Sequence, residues 1–151
     1  MVADGDFEAR ASGRRVTLLS RDPVSIAGTA ELLRSAVENV VRNAIRHTRP
    51  GTSVEVTVQR GDEDVARVVV RDHGPGVEPA LLTEMFRPFW RARGDDRPGD
   101  GAGLGLALAE RIVVMHGGRL SATNAVQGGL VMTIDLPRRR HVDESQVADR
   151  V

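Results

Sequence analysis

The feature of this chain that most constrains its fold is a fixed order of four short motifs within residues 39–106. An Asn-x3-Asn pair is followed by Asp-x-Gly-x-Gly, then by Phe-x-Pro-Phe, and last by Gly-Ala-Gly-Leu-Gly-Leu. Asparagines and closely spaced glycines are common, so each motif alone is weak. Their combination, with helical and strand-like patterns between them, predicts a nucleotide pocket closed by a flexible lid.

Two segments have the apolar spacing of amphipathic helices. Thr29 is the predicted N-cap of the first, which runs to about His47, and the second spans Leu104 to about His116. A Pro-Gly pair ends the first helix and a Gly-Gly pair ends the second. The buried stripe of the first helix is predicted to consist of Leu33, Val37, Val40, Val41, Ala44 and Ile45.

Five short segments have strand patterns, at residues 16–19, 54–59, 65–72, 119–123 and 130–136. The second and third are separated by a short turn and are predicted to form a hairpin, and a short helix is predicted near residues 79–85. The predicted fold is an α/β two-layer sandwich, a mixed β-sheet covered on one face by about three helices. Residues 1–14 are predicted to be an entry segment or linker remnant, 15–137 the domain, and 138–151 a flexible tail.

The basic residues restrict how phosphate can be bound, because all 21 are arginine and the chain contains no lysine. The P-loop NTPases and the eukaryotic-type protein kinases both need a lysine at the phosphates, so both classes are excluded. The chain also has no cysteine and a formal net charge of zero. Thiolate metal sites are therefore impossible, and no nucleic-acid partner is expected.

Asn39 and Asn43 are four residues apart, so their side chains share one face of the first helix, which Ala36 and Arg46 extend. An amide oxygen suits Mg²⁺, which takes few protein ligands and relies on phosphates and water for the rest. We assign the metal to Asn43 and a phosphate contact to Arg46. The alternative is a pair of asparagines on a solvated helix face.

Asp72 ends an apolar strand and is followed by Gly74 and Gly76. A carboxylate at this position can accept a hydrogen bond from the exocyclic amine of adenine, and the glycines let the backbone approach the base. The alternative is an ordinary turn at the end of a strand.

Three of the four aromatic residues, Phe86, Phe89 and Trp90, lie where a polar segment of residues 91–103 begins. We expect this segment to be the lid, anchored by burial of Phe86 and Phe89. The glycine-rich motif then leads into the second helix, whose free amides favour phosphate. The residues expected to contact nucleotide there are Gly101, Gly103, Leu104, Gly105 and Leu106.

From about residue 16 to residue 137 the chain resembles the ATP-binding catalytic domain of bacterial sensor histidine kinases, and in detail the envelope-stress sensor kinases of Gram-negative bacteria. The resemblance implies the Bergerat-type ATP fold, which DNA gyrase, the mismatch-repair ATPases and the heat-shock chaperone ATPase share. It implies ATP and Mg²⁺ as ligands. The implied ATP-binding residues outside the glycine-rich motif are Asn39, Asn43, Arg46, His47, Asp72, Gly74, Gly76, Val77, Phe86 and Arg91.

Within that resemblance, Asn43 matches the family's magnesium asparagine. His47 falls where the family places an aromatic ring over adenine, and Arg91 where it places a phosphate contact. ATPases of this fold carry a general-base glutamate at the position of Asn39, and an amide cannot accept a proton near neutral pH. The chain is therefore expected to transfer the γ-phosphoryl group to another protein rather than to water.

None of the four histidines, His47, His73, His116 and His141, lies in the His-Glu/Asp-x-x-x-Pro context of a phosphoacceptor. The acceptor histidine and its acid/base are thus expected outside this chain, on the kinase's own dimerisation domain, with a response regulator downstream. The expected location is cytoplasmic, without direct membrane contact, as part of an inner-membrane sensor.

Two alternatives remain open at this point: a stand-alone serine kinase of the anti-sigma-factor type, and a degenerate module that no longer uses ATP. The complete phenylalanine motif and the Leu-Gly-Leu end of the lid favour a histidine kinase over the first. The intact Asn43, Asp72 and lid glycines argue against the second.

Overall fold

A single mixed sheet forms one layer of the computed structural model, which describes residues 13–95 and 103–139. The strands are β1 (Arg15–Arg21), β2 (Ser53–Arg60), β3 (Val65–Arg71), β4 (Arg119–Asn124) and β5 (Leu130–Pro137). Their order across the sheet is β1-β2-β3-β5-β4. Only β1 and β2 pair in parallel, and the other neighbours are antiparallel, so β2 and β3 form the predicted hairpin.

Two α-helices, α1 (Ala30–His47) and α2 (Gly105–Met115), form the second layer. The predicted α/β two-layer sandwich is therefore confirmed. The expected third helix is instead two separate 3₁₀ turns, Pro79–Leu81 and Glu84–Phe86. Pro88 follows the second turn, and Arg87 before it is extended rather than helical, as the residue before a proline prefers.

The core lies between the helices and one face of the sheet. In β3 and β5 every second side chain is buried, as alternation predicts, and the side chains between them stay partly exposed. Ala36 is 1% exposed and belongs to the core, so its expected place on the ligand face beside Asn39 is wrong. The reason is that α1 packs against α2 as well as against the sheet, which widens its buried surface.

The two helices run antiparallel and touch near both ends of α2. At its start, a Cβ placed on Gly105 would lie 3.0 Å from Asn39 Oδ1. At its far end, Thr29 N–H donates to His116 Nε2 over 3.2 Å, while His116 Nδ1 lies 2.7 Å from the Ile112 carbonyl oxygen. The tautomer that satisfies both contacts carries its proton on Nδ1. Thr29 is the N-cap by position, but its side chain makes no capping hydrogen bond.

Residues at both margins of the predicted domain pack onto it. Arg14 Nε donates to the Thr48 carbonyl oxygen over 2.7 Å. Arg138, the first residue of the predicted tail, forms an isolated β-bridge with Ile26, and Arg139 donates its backbone N–H to the loop before α1. The remainder of the predicted tail and most of the predicted entry segment lie outside the described residues.

A close backbone contact joins the end of β3 to the start of β5. Asp72 N–H donates to the Leu130 carbonyl oxygen over 3.0 Å. Gly129, with φ of +92°, is so close that a Cβ there would overlap the Asp72 carbonyl oxygen. Gly128 has nearly the same φ, +91°, but a Cβ there would meet nothing within 4 Å. The two adjacent glycines therefore separate the effect of backbone conformation from the effect of close approach.

We expect Gly129→Ala to lower the free energy of unfolding by more than Gly128→Ala does, as measured by urea denaturation. Both variants place a side chain in a left-handed conformation, which costs about 1–2 kcal/mol. Only Gly129→Ala also pushes against the backbone of Asp72. Equal losses for the two variants would contradict the tight β3–β5 junction.

Candidate functional site

Asp72 is a buried carboxylate at the end of β3, with 2% of its surface exposed. Its Oδ1 accepts the backbone N–H groups of Gly74, over 2.9 Å, and Leu130, over 3.1 Å. No residue in the described part of the chain donates to Oδ2. One oxygen thus fixes the carboxylate in place, and the other can accept a hydrogen bond from a ligand.

The loop that follows Asp72 is held by the end of α1. Thr48 is 1% exposed, and its Oγ1 accepts the His73 backbone N–H over 3.0 Å and shares a 2.8 Å hydrogen bond with Thr52 Oγ1. Gly74 packs directly on the carbonyl group of His47. The structure therefore brings His47 and Gly74 together, as expected for a shared site. No sequence pattern marks Thr48, because its partner is 25 residues away.

The same loop is held on its other side by Asn124, at the end of β4. Asn124 Oδ1 accepts the Val77 N–H over 2.9 Å, and Asn124 Nδ2 donates to the Val77 carbonyl oxygen over 2.6 Å. Gly76 lies against this amide, since a Cβ there would be 2.7 Å from Asn124 Oδ1. In β4, Asn124 continues the series of alternate positions that begins with Leu120 and Ala122. A polar amide in this apolar series is the one sequence feature that could have marked Asn124 as part of the site.

The asparagine pair lies half-buried on α1, between the loop and the start of α2. Asn43 Nδ2 lies 3.9 Å from Met132 Sδ, and no described residue donates to Asn43 Oδ1. Asn39 Nδ2 donates to the Ser35 carbonyl oxygen over 2.9 Å. The Asn43 amide oxygen is therefore available to a metal ion, which is the role expected of it.

Arg46 lies on α1 one turn beyond Asn43, but it is paired with an acid that no motif marks. Its Nη2 lies 2.7 Å from Asp95 Oδ2, with 21% of the Arg46 and 14% of the Asp95 side chain exposed. The phosphate-binding arginine predicted from the sequence therefore has a carboxylate at its guanidinium in this structure.

The aromatic motif contributes to the site differently from the expectation. Phe86 is buried and Trp90 packs partly against the core, but Phe89 is 71% exposed, so its predicted burial is wrong. Phe89 has φ of +65° in a turn closed by the Trp90 N–H and the Arg87 carbonyl group. Its N–H donates to the Gly103 carbonyl oxygen over 3.1 Å. A backbone contact, rather than the Phe89 ring, joins the two ends of the predicted lid.

Gly103, Leu104, Gly105 and Leu106 lie at the start of α2, where Leu104 is exposed and Leu106 is buried. Arg91 is exposed at the start of the lid segment, and Gly101 lies outside the described residues. The predicted residues on α1 extend from Asn39, beside Gly105, to His47, beside Gly74. This is a distance of about 12 Å along the helix axis.

The protein is an α/β sandwich with a five-stranded mixed sheet and two helices on one face, and the predicted nucleotide residues are spread along α1 between Gly105 and Gly74. The family model described as "Histidine kinase-, DNA gyrase B-, and HSP90-like ATPase" matches residues 28–140, and the chain belongs to this family. Within the described residues, no helix is long and apolar enough to cross a membrane.

Sensor histidine kinases are among the similar curated proteins. Sensor histidine kinase CpxA of Escherichia coli K12 is 38% identical over 133 residues, which cover 87% of this chain and 28% of that protein. The histidine-protein kinase BaeS of the same strain is 33% identical over 142 residues, covering 92% and 30%. The chain thus spans less than a third of the length of these relatives.

Solved structures of the same class share the fold. The mycobacterial sensor histidine kinase MprB is 30% identical with a TM-score of 0.79, covering 91% of this chain and 93% of that one. Full-length ShkA, solved in complex with AMPPNP, is 25% identical with a TM-score of 0.77, covering 91% of this chain and 28% of that one. The predicted resemblance to sensor histidine kinases, including those of the envelope-stress type, is confirmed.

We expect Thr48→Val to lower both the stability of the chain and its affinity for adenine nucleotides. Valine has nearly the same shape but leaves the His73 N–H without its acceptor, which costs about 1–3 kcal/mol. Thr52→Val is the control, because it removes the Thr52 hydrogen bonds to Thr48 and to the Arg49 carbonyl oxygen while His73 keeps its partner. Urea denaturation and calorimetric titration with ADP measure the two effects. Equal changes in both variants would contradict the role of Thr48.

Proposed function

We propose that this chain binds Mg-ATP and transfers the γ-phosphoryl group to a histidine on a separate dimerisation domain, as the catalytic domain of a two-component sensor histidine kinase. A response regulator would then receive the phosphoryl group, and the parent protein would be an inner-membrane sensor with this domain in the cytoplasm. The observation that carries the proposal is the fixed Asp72 carboxylate, which keeps one oxygen available at the end of the pocket.

Adenine recognition is proposed for the loop that begins at Asp72. Oδ2 would accept the exocyclic amine of adenine, a donor that guanine lacks at the same position. Thr48 and Asn124 support this role because they hold the loop from both sides through three hydrogen bonds. His47 and Val77 lie on the elements held in this way and would flank the base.

The phosphates and Mg²⁺ are proposed to lie farther along α1. Asn43 Oδ1 would contribute one metal ligand, and when bound the ion would neutralise phosphate charge. The described residues contain no cluster of three histidines, cysteines or acids that could hold an ion, so the other ligands would be phosphate and water oxygens. Arg46, Arg91 and the backbone at the start of α2 would contact the phosphates.

Asn39 supports transfer over hydrolysis. Its side chain is an amide whose Nδ2 donates to the Ser35 carbonyl oxygen, and neither amide atom can take a proton from water near neutral pH. A chain that binds ATP without a general base at this position would keep its γ-phosphoryl group for another acceptor.

An apolar surface on α2 is proposed to receive the domain that carries this acceptor. Leu104, Leu108 and Met115 are exposed by 44%, 48% and 68%. Their spacing places them along one side of the helix. Phe89 is also exposed, and its backbone contacts Gly103 just before this helix. Exposed apolar side chains grouped in this way favour contact with another protein surface.

We expect Asp72→Asn to weaken Mg-ADP binding roughly 10–100-fold and to erode the preference for ADP over GDP. The variant can keep the Oδ1 hydrogen bonds to Gly74 and Leu130, but it places an N–H donor opposite the adenine amine. Calorimetry with both nucleotides measures the affinities, and thermal unfolding checks that the variant is folded. An unchanged ADP affinity in a folded variant would refute the assignment of Asp72.

We expect γ-labelled ATP to leave the isolated chain unlabelled and to label the histidine-bearing dimerisation domain of the parent when the two polypeptides are mixed. The product should be an acid-labile phosphohistidine. Asn43→Ala should abolish the transfer, whereas Asp62→Asn in the exposed β2–β3 turn should not. Stoichiometric labelling of the isolated chain, or rapid release of phosphate to water, would refute the proposed function.

A further inference from the structure

The ion pair between Arg46 and Asp95 places a carboxylate of the lid segment on an arginine of α1. The atoms Nη2 and Oδ2 are 2.7 Å apart, and both side chains are largely buried. We propose that Asp95 is a specificity-determining residue of the nucleotide site. In the free protein it occupies the position on Arg46 that a nucleotide phosphate takes, so phosphate binding must displace it. This inference rests on the proposed ATP pocket and on Arg46 as part of it.

Local structure delivers Asp95 to this position. Its backbone N–H donates to the Ala92 carbonyl oxygen over 3.2 Å, which closes a four-residue turn. Gly94, the third residue of the turn, has φ of +83°, the conformation that a type II turn requires at that position. A Cβ added to Gly94 would meet nothing within 4 Å. The turn therefore depends on the backbone freedom of Gly94 and not on space around it.

A carboxylate and a phosphate are alternative partners for the same guanidinium. Arginine stays charged at all relevant pH values, and its planar group binds both anions through the same N–H donors. At a half-buried position its charge is costly without an anion nearby. Asp95 supplies an anion at Nη2 of Arg46 when no nucleotide is bound. When ATP binds at Arg46, its phosphate replaces the carboxylate of Asp95. The net free energy of binding is therefore smaller than it would be if no carboxylate had to be displaced.

The exchange affects only ligands whose phosphates reach Arg46. A di- or triphosphate must break the Arg46–Asp95 pair, whereas adenosine binds at Asp72 and leaves the pair intact. Asp95 therefore lowers the affinity for nucleotides with a phosphate chain and not the affinity for the nucleoside.

Calorimetric titrations with Mg-AMPPNP and with adenosine test the proposal. Asp95→Asn should tighten AMPPNP binding roughly three- to tenfold and leave adenosine binding unchanged. Gly94→Ala should act in the same direction, because it strains the turn that presents Asp95 while it changes no charge. Asp62→Asn, which makes the same change in net charge at the β2–β3 turn, should have no effect on either ligand.

A double-mutant cycle with Arg46→Gln decides whether the effect passes through the ion pair. The gain from Asp95→Asn should vanish in the Arg46→Gln background. The proposal is overturned if Asp95→Asn leaves AMPPNP affinity unchanged, if adenosine gains equally, or if the gain persists without Arg46. Failure of the ATP pocket itself has a different signature, because the wild-type chain would then bind neither ligand. If Gly94→Ala does not fold, as judged by circular dichroism, the cycle still decides the question.

Discussion

The structure depends most on one buried carboxylate, that of Asp72. Removing a charged group from water is expensive unless it is hydrogen-bonded, and here two backbone N–H groups bind a single oxygen. One donor belongs to the adjacent loop and the other to the start of β5, so the same carboxylate shapes the loop and joins two strands. The hydrogen bonds that join the end of β3 to the start of β5 therefore use one carboxylate oxygen and leave the other for a ligand. The structural hydrogen bonds use Oδ1 of this residue, and the proposed adenine contact uses Oδ2.

Periodicity in the sequence predicts most of the fold, because β2, β3 and β5 each bury one face and α1 buries a stripe. The residues that complete the site are not predictable in this way. Each of them hydrogen-bonds to a residue far away in the sequence. Thr48 binds His73, 25 residues away, Asn124 binds Val77, 47 residues away, and Asp95 binds Arg46, 49 residues away. Such pairs are adjacent only after the chain has folded, and a threonine, an asparagine or an aspartate is unremarkable at its own position.

The side chains whose environment differs from the sequence prediction are each placed by a feature that lies outside the local sequence pattern. Phe89 is exposed in a turn where its backbone is left-handed, and the identity of an aromatic residue carries no information about such a turn. Ala36 is buried on a helix that packs against both the sheet and α2, and helical periodicity indicates a buried face without indicating how many elements cover the helix. Arg46, the predicted phosphate contact, is a third case, since Asp95 on its guanidinium comes from a turn outside every motif.

The parallel edge strand β1 has a consequence for how the domain can open. It is hydrogen-bonded to β2 alone, and of its seven residues only Val16 is buried. Segments with few buried contacts open locally at a fraction of the global free energy of unfolding. β1 can therefore separate from β2 while the four remaining strands stay paired and Asp72 keeps both its hydrogen bonds. A mechanical load applied to the chain ahead of Arg15 would act on β1 and on the Arg14–Thr48 hydrogen bond before it reached the four remaining strands.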